Sequence, residues 1–356
     1  MTTDTASSSP ILPPILDETK AGNYFVSNYP PYGFWRPEWA GEALAALERP
    51  PAPGTPLGIY LHIPFCRKRC TFCYFKVYTD KDSSEIEGYI DAALAELELY
   101  SQKPFIDHRR PKFVYFGGGT PSFISTKQLT RLTTGMRELL PWDEVEEVTF
   151  ECEPGTLTEG KLEIIKKQGI TRISLGIENF DEHVLRINGR AHGVKEIDRA
   201  YELVKALDFP QVNIDLIAGM LDETEENWRE CVRKTVELSP DNVTIYQMEV
   251  PHNTLIFKEL KEQGVSVAPV ADWATKRAWV DYAYRELEKA GYTITSAYTA
   301  VKDPAKSPFL YRSLLWKGAD MIGLGVASFS HIGGVHFQNE HEFDAYVSKV
   351  KEGTLP

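Results

Sequence analysis

This chain of 356 residues has no long apolar run and no excess of basic residues. No stretch approaches the ~20 consecutive apolar residues of a membrane-spanning helix, so we expect no membrane span. The formal net charge is −12, from 39 basic and 51 acidic residues, and this balance argues against a nucleic-acid partner. The N-terminus has neither the basic region nor the apolar region of a secretory signal.

Cysteine is also scarce: the chain has five, and three of them fall within residues 62–73. Clustered cysteines do not indicate the disulfide framework of a secreted protein, so we expect a reducing, cytoplasmic location. Cys152 and Cys231 lie outside the cluster, and we interpret them as buried small apolar residues. The remaining composition, 42% hydrophobic and 25% charged, is ordinary for a globular protein.

Residues 1–55 are predicted to form a tail and strap rather than a domain. Residues 1–20 are predicted to be disordered, and residues 48–55 form a proline-rich linker. Between them lies a proline-interrupted group of aromatic residues: Tyr24, Phe25, Tyr29, Tyr32, Phe34, Trp35 and Trp39. So many aromatic side chains should pack onto the main domain. We favour a strap that covers one end of that domain, with a lid over a flat substrate as the alternative.

A strand-then-helix rhythm of about thirty residues repeats six times within residues 56–264. Strands are predicted at 57–63, 112–116, 147–152, 172–177, 211–219 and 242–248. Helices are predicted at 84–100, 128–140, 158–168, 181–187, 194–207, 224–238 and 254–263. This alternation implies parallel strands joined by crossover helices, and the apolar strands imply a sheet covered on both faces. We predict an α/β fold, a partial (β/α)6 TIM-like barrel, with an open doubly wound sheet as the alternative.

Residues 265–356 are predicted to form an α/β extension that closes one side of the barrel. The pattern indicates a helix at 272–290, a strand at 292–296, a glycine-spaced strand-like segment at 321–331 and a final helix at 341–351. No strong boundary separates this extension from the barrel.

A cysteine loop at 66–73 follows the first predicted strand directly. Three thiolates can hold three corners of an iron–sulfur cube, which leaves the fourth iron open to a small molecule. The alternative is a structural zinc site, which needs a fourth ligand. His62 is a candidate for that ligand, although it lies four residues upstream at the end of the strand. The residues at the ends of the following strands favour the cluster.

Glycines and charged residues recur where the later predicted strands end. The turn at 117–119 is all glycine, so its backbone can touch a ligand directly. Glu151 ends the third strand, where a carboxylate can accept two hydrogen bonds from a ribose. Glu178 ends the fourth strand, Arg190 follows one helix later, and Asp215 lies within the fifth strand. An acid in an apolar strand is costly unless it is paired. Each of these charged residues alone is typical of a structural ion pair. Together they predict a ring of polar groups around one open end of the barrel.

These motifs resemble those of the radical S-adenosylmethionine enzymes. The resemblance rests on the Cys-x3-Cys-x-Phe-Cys loop at 66–73, the Gly-Gly-Gly-Thr-Pro-Ser turn at 117–122, Glu151, and the Asn-Ile-Asp-Leu-Ile strand at 213–217. With Tyr-Leu-His-Ile-Pro-Phe-Cys at 60–66, the chain more narrowly resembles the oxygen-independent coproporphyrinogen III oxidase family. That family also includes haem chaperones and radical methyltransferases. The resemblance runs from about residue 57 to the end of the chain.

The resemblance implies a barrel of the radical S-adenosylmethionine type and a specific set of ligands. Cys66, Cys70 and Cys73 would hold a [4Fe–4S] cluster whose fourth iron takes the amino and carboxylate groups of S-adenosylmethionine. The reduced cluster would cleave this cofactor to a 5′-deoxyadenosyl radical, which abstracts hydrogen from the substrate. Gly118 and Gly119 would contact the methionine part of the cofactor. The other residues assigned to it are Tyr60, Thr120, Glu151 (ribose), Glu178 (Gln in many relatives), Arg190 and Asp215.

Two departures from the family bear on the substrate. The oxidases have another cysteine two residues after the last cluster ligand, whereas this chain has Phe75, as in the chaperone-like branch. Relatives usually continue into a small C-terminal domain, which we expect to be missing from a sequence that ends at Pro356.

The default prediction is an oxidase-like enzyme acting on a tetrapyrrole or a similar flat small molecule. The alternatives are a methyltransferase or cyclopropane-forming enzyme that uses a second S-adenosylmethionine, and a non-enzymatic haem chaperone. The implied protein partner is an electron donor such as flavodoxin or ferredoxin.

Overall fold

The computed structural model describes residues 17–22 and 30–356. At its centre these residues form one sheet of eleven strands. The strands are β1 (Leu57–Ile63), β2 (Pro111–Gly118), β3 (Glu147–Cys152), β4 (Arg172–Glu178), β5 (Gln211–Ala218), β6 (Asn242–Gln247), β7 (Thr293–Ile294), β8 (Thr299–Val301), β9 (Asp320–Leu324), β10 (Phe329–Ile332) and β11 (Val335–Gln338).

Eleven α-helices accompany these strands in the described part of the chain. They are α1 (Ala40–Leu47), α2 (Ser83–Ser101), α3 (Thr126–Leu139), α4 (Glu159–Lys167), α5 (Glu182–Ile187), α6 (Val194–Ala206), α7 (Glu225–Leu238), α8 (Leu255–Glu262), α9 (Trp273–Lys289), α10 (Leu310–Leu315) and α11 (Phe343–Lys351). Polar caps determine where several of them begin. Before α2, for example, the Asp82 and Glu85 side chains each accept the other residue's backbone N–H. No helix in this part of the chain is long and apolar enough to cross a membrane.

The parallel strands β1 to β6 lie side by side in chain order and confirm the predicted fold class. The two edge strands of the sheet are β7 and β11, and they do not pair with each other, so the barrel is partial. The helices cover the outside of the sheet and bury residues such as Ile59, Phe150 and Ile214 completely. All the carboxyl ends of the parallel strands therefore meet at one rim.

The C-terminal part adds strands to both edges of this sheet. On one side β8 pairs antiparallel with β6 and also pairs with β7; on the other, β9 pairs parallel with β1 and is followed by β10 and β11. One apolar core contains residues of both the barrel and this part, such as Phe116, Ile322 and Tyr346. The division of the chain into residues 1–55, 56–264 and 265–356 stays a prediction.

The single strand-like segment predicted at 321–331 is wrong, because it forms β9, a turn and β10. Gly325 and Ala327 have left-handed backbone, with φ of 94° and 59°, which lets the chain reverse. Val326 between them is fully buried, so the apolar pattern continues through the turn and hides it. The elements that the pattern missed are the short ones α1, α10, β8 and β11, whose few residues give little periodicity.

The predicted disorder of residues 1–20 is wrong for its last residues. Thr19 is 1% exposed, accepts the Ala268 backbone N–H (2.9 Å) through its carbonyl, and donates its hydroxyl to the Ala271 carbonyl (3.0 Å). Of the predicted aromatic strap, Tyr24, Phe25 and Tyr29 lie outside the described residues. Tyr32 and Trp35 pack edge-on against Phe329, the first residue of β10.

Candidate functional site

A cleft opens at the carboxyl ends of the parallel strands and encloses about 1470 Å³ of space, its open mouth included. Side chains far apart in the sequence meet here because parallel strands all end at the same rim. Ten of the eleven predicted site residues line the cleft: Cys66, Cys70, Cys73, Gly118, Gly119, Thr120, Glu151, Glu178, Arg190 and Asp215. Only Tyr60 of the predicted set does not line it.

Backbone hydrogen bonds attach the cysteine loop to three neighbouring segments. The Cys66 N–H donates to the Tyr78 carbonyl (3.0 Å). The Thr120 N–H donates to the carbonyl of Phe65, the residue directly before the loop (2.9 Å). The Thr71 N–H donates to the carbonyl of Asn188, just after α5 (3.1 Å). These bonds fix the loop in place although it has no regular secondary structure.

Each of the three loop thiols accepts one hydrogen bond. The donors are the Thr120 hydroxyl to Cys66 Sγ (3.3 Å), the Arg190 Nη1 to Cys70 Sγ (3.2 Å), and the Phe75 backbone amide to Cys73 Sγ. Burial raises the pKa of Cys66 to about 11 and that of Cys73 to about 12. These two thiols therefore hold their protons in the metal-free protein, and metal binding has to release them.

A zinc site completed by His62 does not fit this arrangement. The Nδ1 atom of His62 is hydrogen-bonded to the Tyr60 hydroxyl (3.1 Å), and its Nε2 atom to the Lys76 carbonyl (3.0 Å). Both ring nitrogens are thus occupied. Within the ranges 17–22 and 30–356, no three His, Cys, Asp or Glu side chains converge on one metal ion. A cubane cluster does not need such convergence, since each thiolate binds a different iron.

The glycine turn lies directly beside the cysteine loop. Gly118 has a φ of 109°, which side-chain-bearing residues rarely adopt. A Cβ atom on Gly119 would lie 2.8 Å from the Ile63 carbonyl oxygen and 3.1 Å from Cys66 Sγ. The two glycines therefore let the turn pack against the loop and leave backbone groups exposed to the cleft.

Glu151 lies at the end of β3 with its carboxyl group held from two sides. Its Oε1 atom accepts the Tyr115 hydroxyl (2.7 Å), and its Oε2 atom accepts the Gly118 N–H (3.1 Å). Burial raises the pKa of Glu151 to about 7, although both hydrogen bonds oppose that shift. A positively charged ligand in the cleft would favour the ionised form.

Asp215 belongs to a hydrogen-bond network that crosses the inside of three strands. Its carboxylate accepts the Ser174 hydroxyl of β4 (2.8 Å) and the side-chain amide of Asn213 (2.9 Å). Asn213 in turn accepts the Thr244 hydroxyl of β6 (2.9 Å). Burial raises the pKa of Asp215, and these donors partly compensate for it. The network fixes the direction in which the carboxylate faces.

Glu178 and Arg190 form an ion pair at the rim that solvent reaches only in small part. Glu178 Oε1 lies 3.6 Å from Arg190 Nη2, and the two side chains are 13% and 11% exposed. Arg190 Nη2 also donates to the Gly176 carbonyl (2.6 Å). Burial raises the pKa of Glu178 to about 7, and Arg190 opposes that shift.

Tyr60 lies on β1 next to the cleft but does not line it. Its ring stacks on Tyr115 at a centroid distance of 5.9 Å, and its hydroxyl is bonded to His62. Tyr60 is therefore a neighbour of the residue that holds Glu151, and its predicted contact with a cofactor stays a prediction.

Several residues that shape the cleft were missed by the sequence analysis. They include Tyr115, Ser174 and Asn213, which orient the predicted acids, and Tyr74 and Tyr246, which form aromatic walls. Phe75 and Tyr246 are 42% and 43% exposed at the mouth. A signal for Ser174 and Asn213 existed: polar residues alternate along β3, β4 and β5, and alternate residues of a strand share one face. The prediction of uniformly apolar strands is therefore wrong for these three strands.

The donors of the cleft suit an iron–sulfur cluster with a cationic cofactor. Three soft thiols lie on one loop, and each has a hydrogen-bond donor that can stabilise a thiolate. Three acids, Glu151, Glu178 and Asp215, line the same cleft. Arg190 also lines it and forms its ion pair with Glu178. Glu151 and Asp215 accept the hydrogen bonds described above from neutral groups, so their carboxyl groups can attract a cationic ligand such as a sulfonium.

Comparisons with known proteins identify the family of this chain. The model of the Radical SAM superfamily matches residues 60–235. The heme chaperone HemW of Escherichia coli is 30% identical over 279 residues, which cover 78% of this chain and 70% of HemW. The oxygen-independent coproporphyrinogen III oxidase of Salmonella typhimurium is 26% identical over 310 residues, which cover 84% of this chain and 66% of the oxidase.

A solved structure supports the fold. Coproporphyrinogen III oxidase (HemN) from Escherichia coli superposes with a TM-score of 0.79 at 23% sequence identity. The match covers 92% of this chain and 76% of that structure's chain. At this identity the likeness concerns the fold, including the partial barrel.

Proposed function

Since the chain belongs to the radical S-adenosylmethionine superfamily, in the family of HemW and the oxygen-independent coproporphyrinogen III oxidases, we propose a specific cofactor arrangement and substrate class. Cys66, Cys70 and Cys73 hold a [4Fe–4S] cluster, and S-adenosylmethionine lies beside it in the cleft. The protein acts on a flat, tetrapyrrole-like molecule. One observation carries this proposal: three thiols share a single cleft with a glycine turn and three carboxyl groups.

The cluster and S-adenosylmethionine, when bound, supply a carbon-centred radical that abstracts hydrogen from the substrate. The chain's own residues bind and orient S-adenosylmethionine. The backbone at Gly118 and Gly119 is bare enough to touch the methionine part of the cofactor, and Glu151, oriented by Tyr115, accepts hydrogen bonds from its ribose. Asp215 places a second fixed negative charge across the cleft. The barrel walls keep bulk water from a reactive radical.

The substrate side of the cleft supports a flat aromatic ligand. Tyr74 and Phe75 pack together at a centroid distance of 4.5 Å, and Tyr246 and Tyr298 pack at 6.1 Å. Half-exposed aromatic rings at a cleft mouth offer large apolar faces for stacking. A one-electron donor of the flavodoxin or ferredoxin class reduces the cluster.

Haem binding without turnover is the second candidate function. HemW, named as a heme chaperone, is 30% identical to this chain and is matched over 70% of its length. Phe75 occupies the position that carries a further cysteine in the oxidases, and it presents an apolar ring to the cleft. Both observations favour a protein that binds a tetrapyrrole without oxidising it.

The first experiment tests the cluster. The protein is reconstituted anaerobically with iron and sulfide, and iron, sulfide and visible absorption are measured. Cys70→Ser should lose most of the bound iron, because a serine hydroxyl is a poor ligand for this soft site. Cys231→Ser is the matched control, since Cys231 is buried beside Asn179 and outside the cleft. Zinc in place of iron in the wild-type protein would contradict the proposal.

The second experiment separates the candidate functions. The reduced, reconstituted protein is incubated with S-adenosylmethionine and coproporphyrinogen III, and the products are separated by chromatography. Release of 5′-deoxyadenosine with porphyrinogen oxidation supports the enzyme. S-adenosylhomocysteine as co-product indicates methyl transfer instead. Stable haem binding in a parallel titration, without substrate-dependent 5′-deoxyadenosine, indicates the chaperone.

A further inference from the structure

The three thiols of the cysteine loop differ in the donors that they accept. Cys66 Sγ accepts a neutral hydroxyl and Cys73 Sγ accepts a neutral backbone amide. Cys70 Sγ instead accepts a guanidinium N–H from Arg190, at 3.2 Å. A charge-assisted hydrogen bond is roughly twice as strong as a neutral one. Of the three sulfurs, Cys70 Sγ is therefore the one whose hydrogen bond comes from a cation.

Arg190 is held rigidly in that position. Its Nη2 atom donates to the Gly176 carbonyl at 2.6 Å, while Nη1 faces Cys70. Its side chain is 11% exposed, so solvent screens its charge little. The guanidinium thus lies between a strand end and the sulfur of a proposed cluster ligand.

Glu178 faces the same guanidinium because of an irregularity at the end of β4. The register between β4 and β5 shifts between Gly176 and Glu178, and Glu178 has a φ of 68°. Left-handed backbone at a non-glycine residue is strained, and such strain is concentrated at functional sites. The irregularity directs the carboxyl group to within 3.6 Å of Arg190 Nη2.

The reduction potential of an iron–sulfur cluster depends on hydrogen bonds to its sulfurs and on nearby charge. Reduction adds one negative charge to the cluster, so a cation beside a ligand sulfur favours the reduced state and an anion opposes it. We propose that Arg190 raises the reduction potential of the cluster through its hydrogen bond to Cys70, and that Glu178 limits this effect by neutralising Arg190. This inference rests on the proposed function, in that Cys70 holds the cluster.

Potentiometry of the reconstituted protein tests the proposal without any substrate turnover. The wild-type protein, Arg190→Gln and Glu178→Gln are each poised with dithionite and redox mediators at pH 8.5, where Glu178 is ionised. The reduced cluster is counted by its electron paramagnetic resonance signal, and S-adenosylmethionine is left out. At a fixed potential, we expect the ratio of reduced to oxidised cluster to fall at least tenfold in Arg190→Gln. In Glu178→Gln the ratio should rise by a similar factor.

Glu96→Gln is the matched control, because it makes the same change at a buried glutamate outside the cleft, whose partners are Gly325, Asn339 and Tyr346. Its potential should equal that of the wild type. Opposite shifts in the two site variants are required; equal potentials, or shifts in the same direction, overturn the proposal. If Arg190→Gln binds too little iron, Arg190→Lys takes its place. Lysine keeps the positive charge but cannot donate to Cys70 and Gly176 from two guanidinium nitrogens, so its potential should differ from that of the wild type by less than the shift expected for Arg190→Gln. Failure of the wild type to bind iron refutes the proposed function itself.

Discussion

Replacing Glu96 with glutamine should remove a large part of the pH dependence of this protein's stability. Glu96 lies on α2 and is fully buried. It accepts hydrogen bonds from the Gly325 N–H (2.8 Å), the Asn339 side-chain amide (2.6 Å) and the Tyr346 hydroxyl (2.7 Å). It forms no ion pair within the described residues. Since these partners all belong to residues 265–356, Glu96 attaches that part of the chain to the barrel.

The sign follows from the pKa of Glu96, which burial raises from 4.5 to about 7 against the effect of the three hydrogen bonds. The folded state therefore binds the proton more tightly than the unfolded state does. The resulting stability is fully present below pH 4.5 and is lost as the pH rises to about 7. A shift of this size corresponds to about 3 kcal/mol.

The assay is urea unfolding, followed by tryptophan fluorescence, of the wild type and Glu96→Gln from pH 4.5 to pH 8. Across this range the wild type should lose about 3 kcal/mol of unfolding free energy relative to the variant, whose amide does not titrate. Glu98→Gln, an exposed neighbour on the same helix, is the control and should follow the wild type. Parallel curves for the wild type and Glu96→Gln would refute the reasoning.

Two further predictions concern the cleft. Tyr115→Phe removes a hydrogen bond to Glu151 and should weaken S-adenosylmethionine binding to the reconstituted protein about tenfold, measured by equilibrium dialysis; an unchanged Kd would show that Tyr115 does not orient Glu151. Gly119→Ala places a Cβ atom 2.8 Å from the Ile63 carbonyl oxygen and 3.1 Å from Cys66 Sγ, and should at least halve the iron bound per chain. Gly88→Ala, whose Cβ meets no atom within 4 Å, should bind iron like the wild type.

Residue identity and spacing were enough to predict which residues carry the chemistry and roughly where each one lies. Cys66, Cys70 and Cys73 are close in the chain, so their spacing alone places three thiols on one loop. The strand-then-helix rhythm placed Glu151 and Asp215 on parallel strands. Because such strands end at a common rim, these acids were predicted to surround one mouth, and all of these residues line one cleft.

The contacts that hold those residues in place became visible only in the folded chain. The pairs Tyr115–Glu151 and Arg190–Cys70 join residues 36 and 120 positions apart, and no local pattern encodes a contact of that range. The turn between β9 and β10 was hidden for a related reason: Val326 is buried by distant neighbours, so apolar spacing continues where the backbone reverses. Local periodicity reports which face of an element is buried, whereas orientation within a site depends on partners that folding brings together.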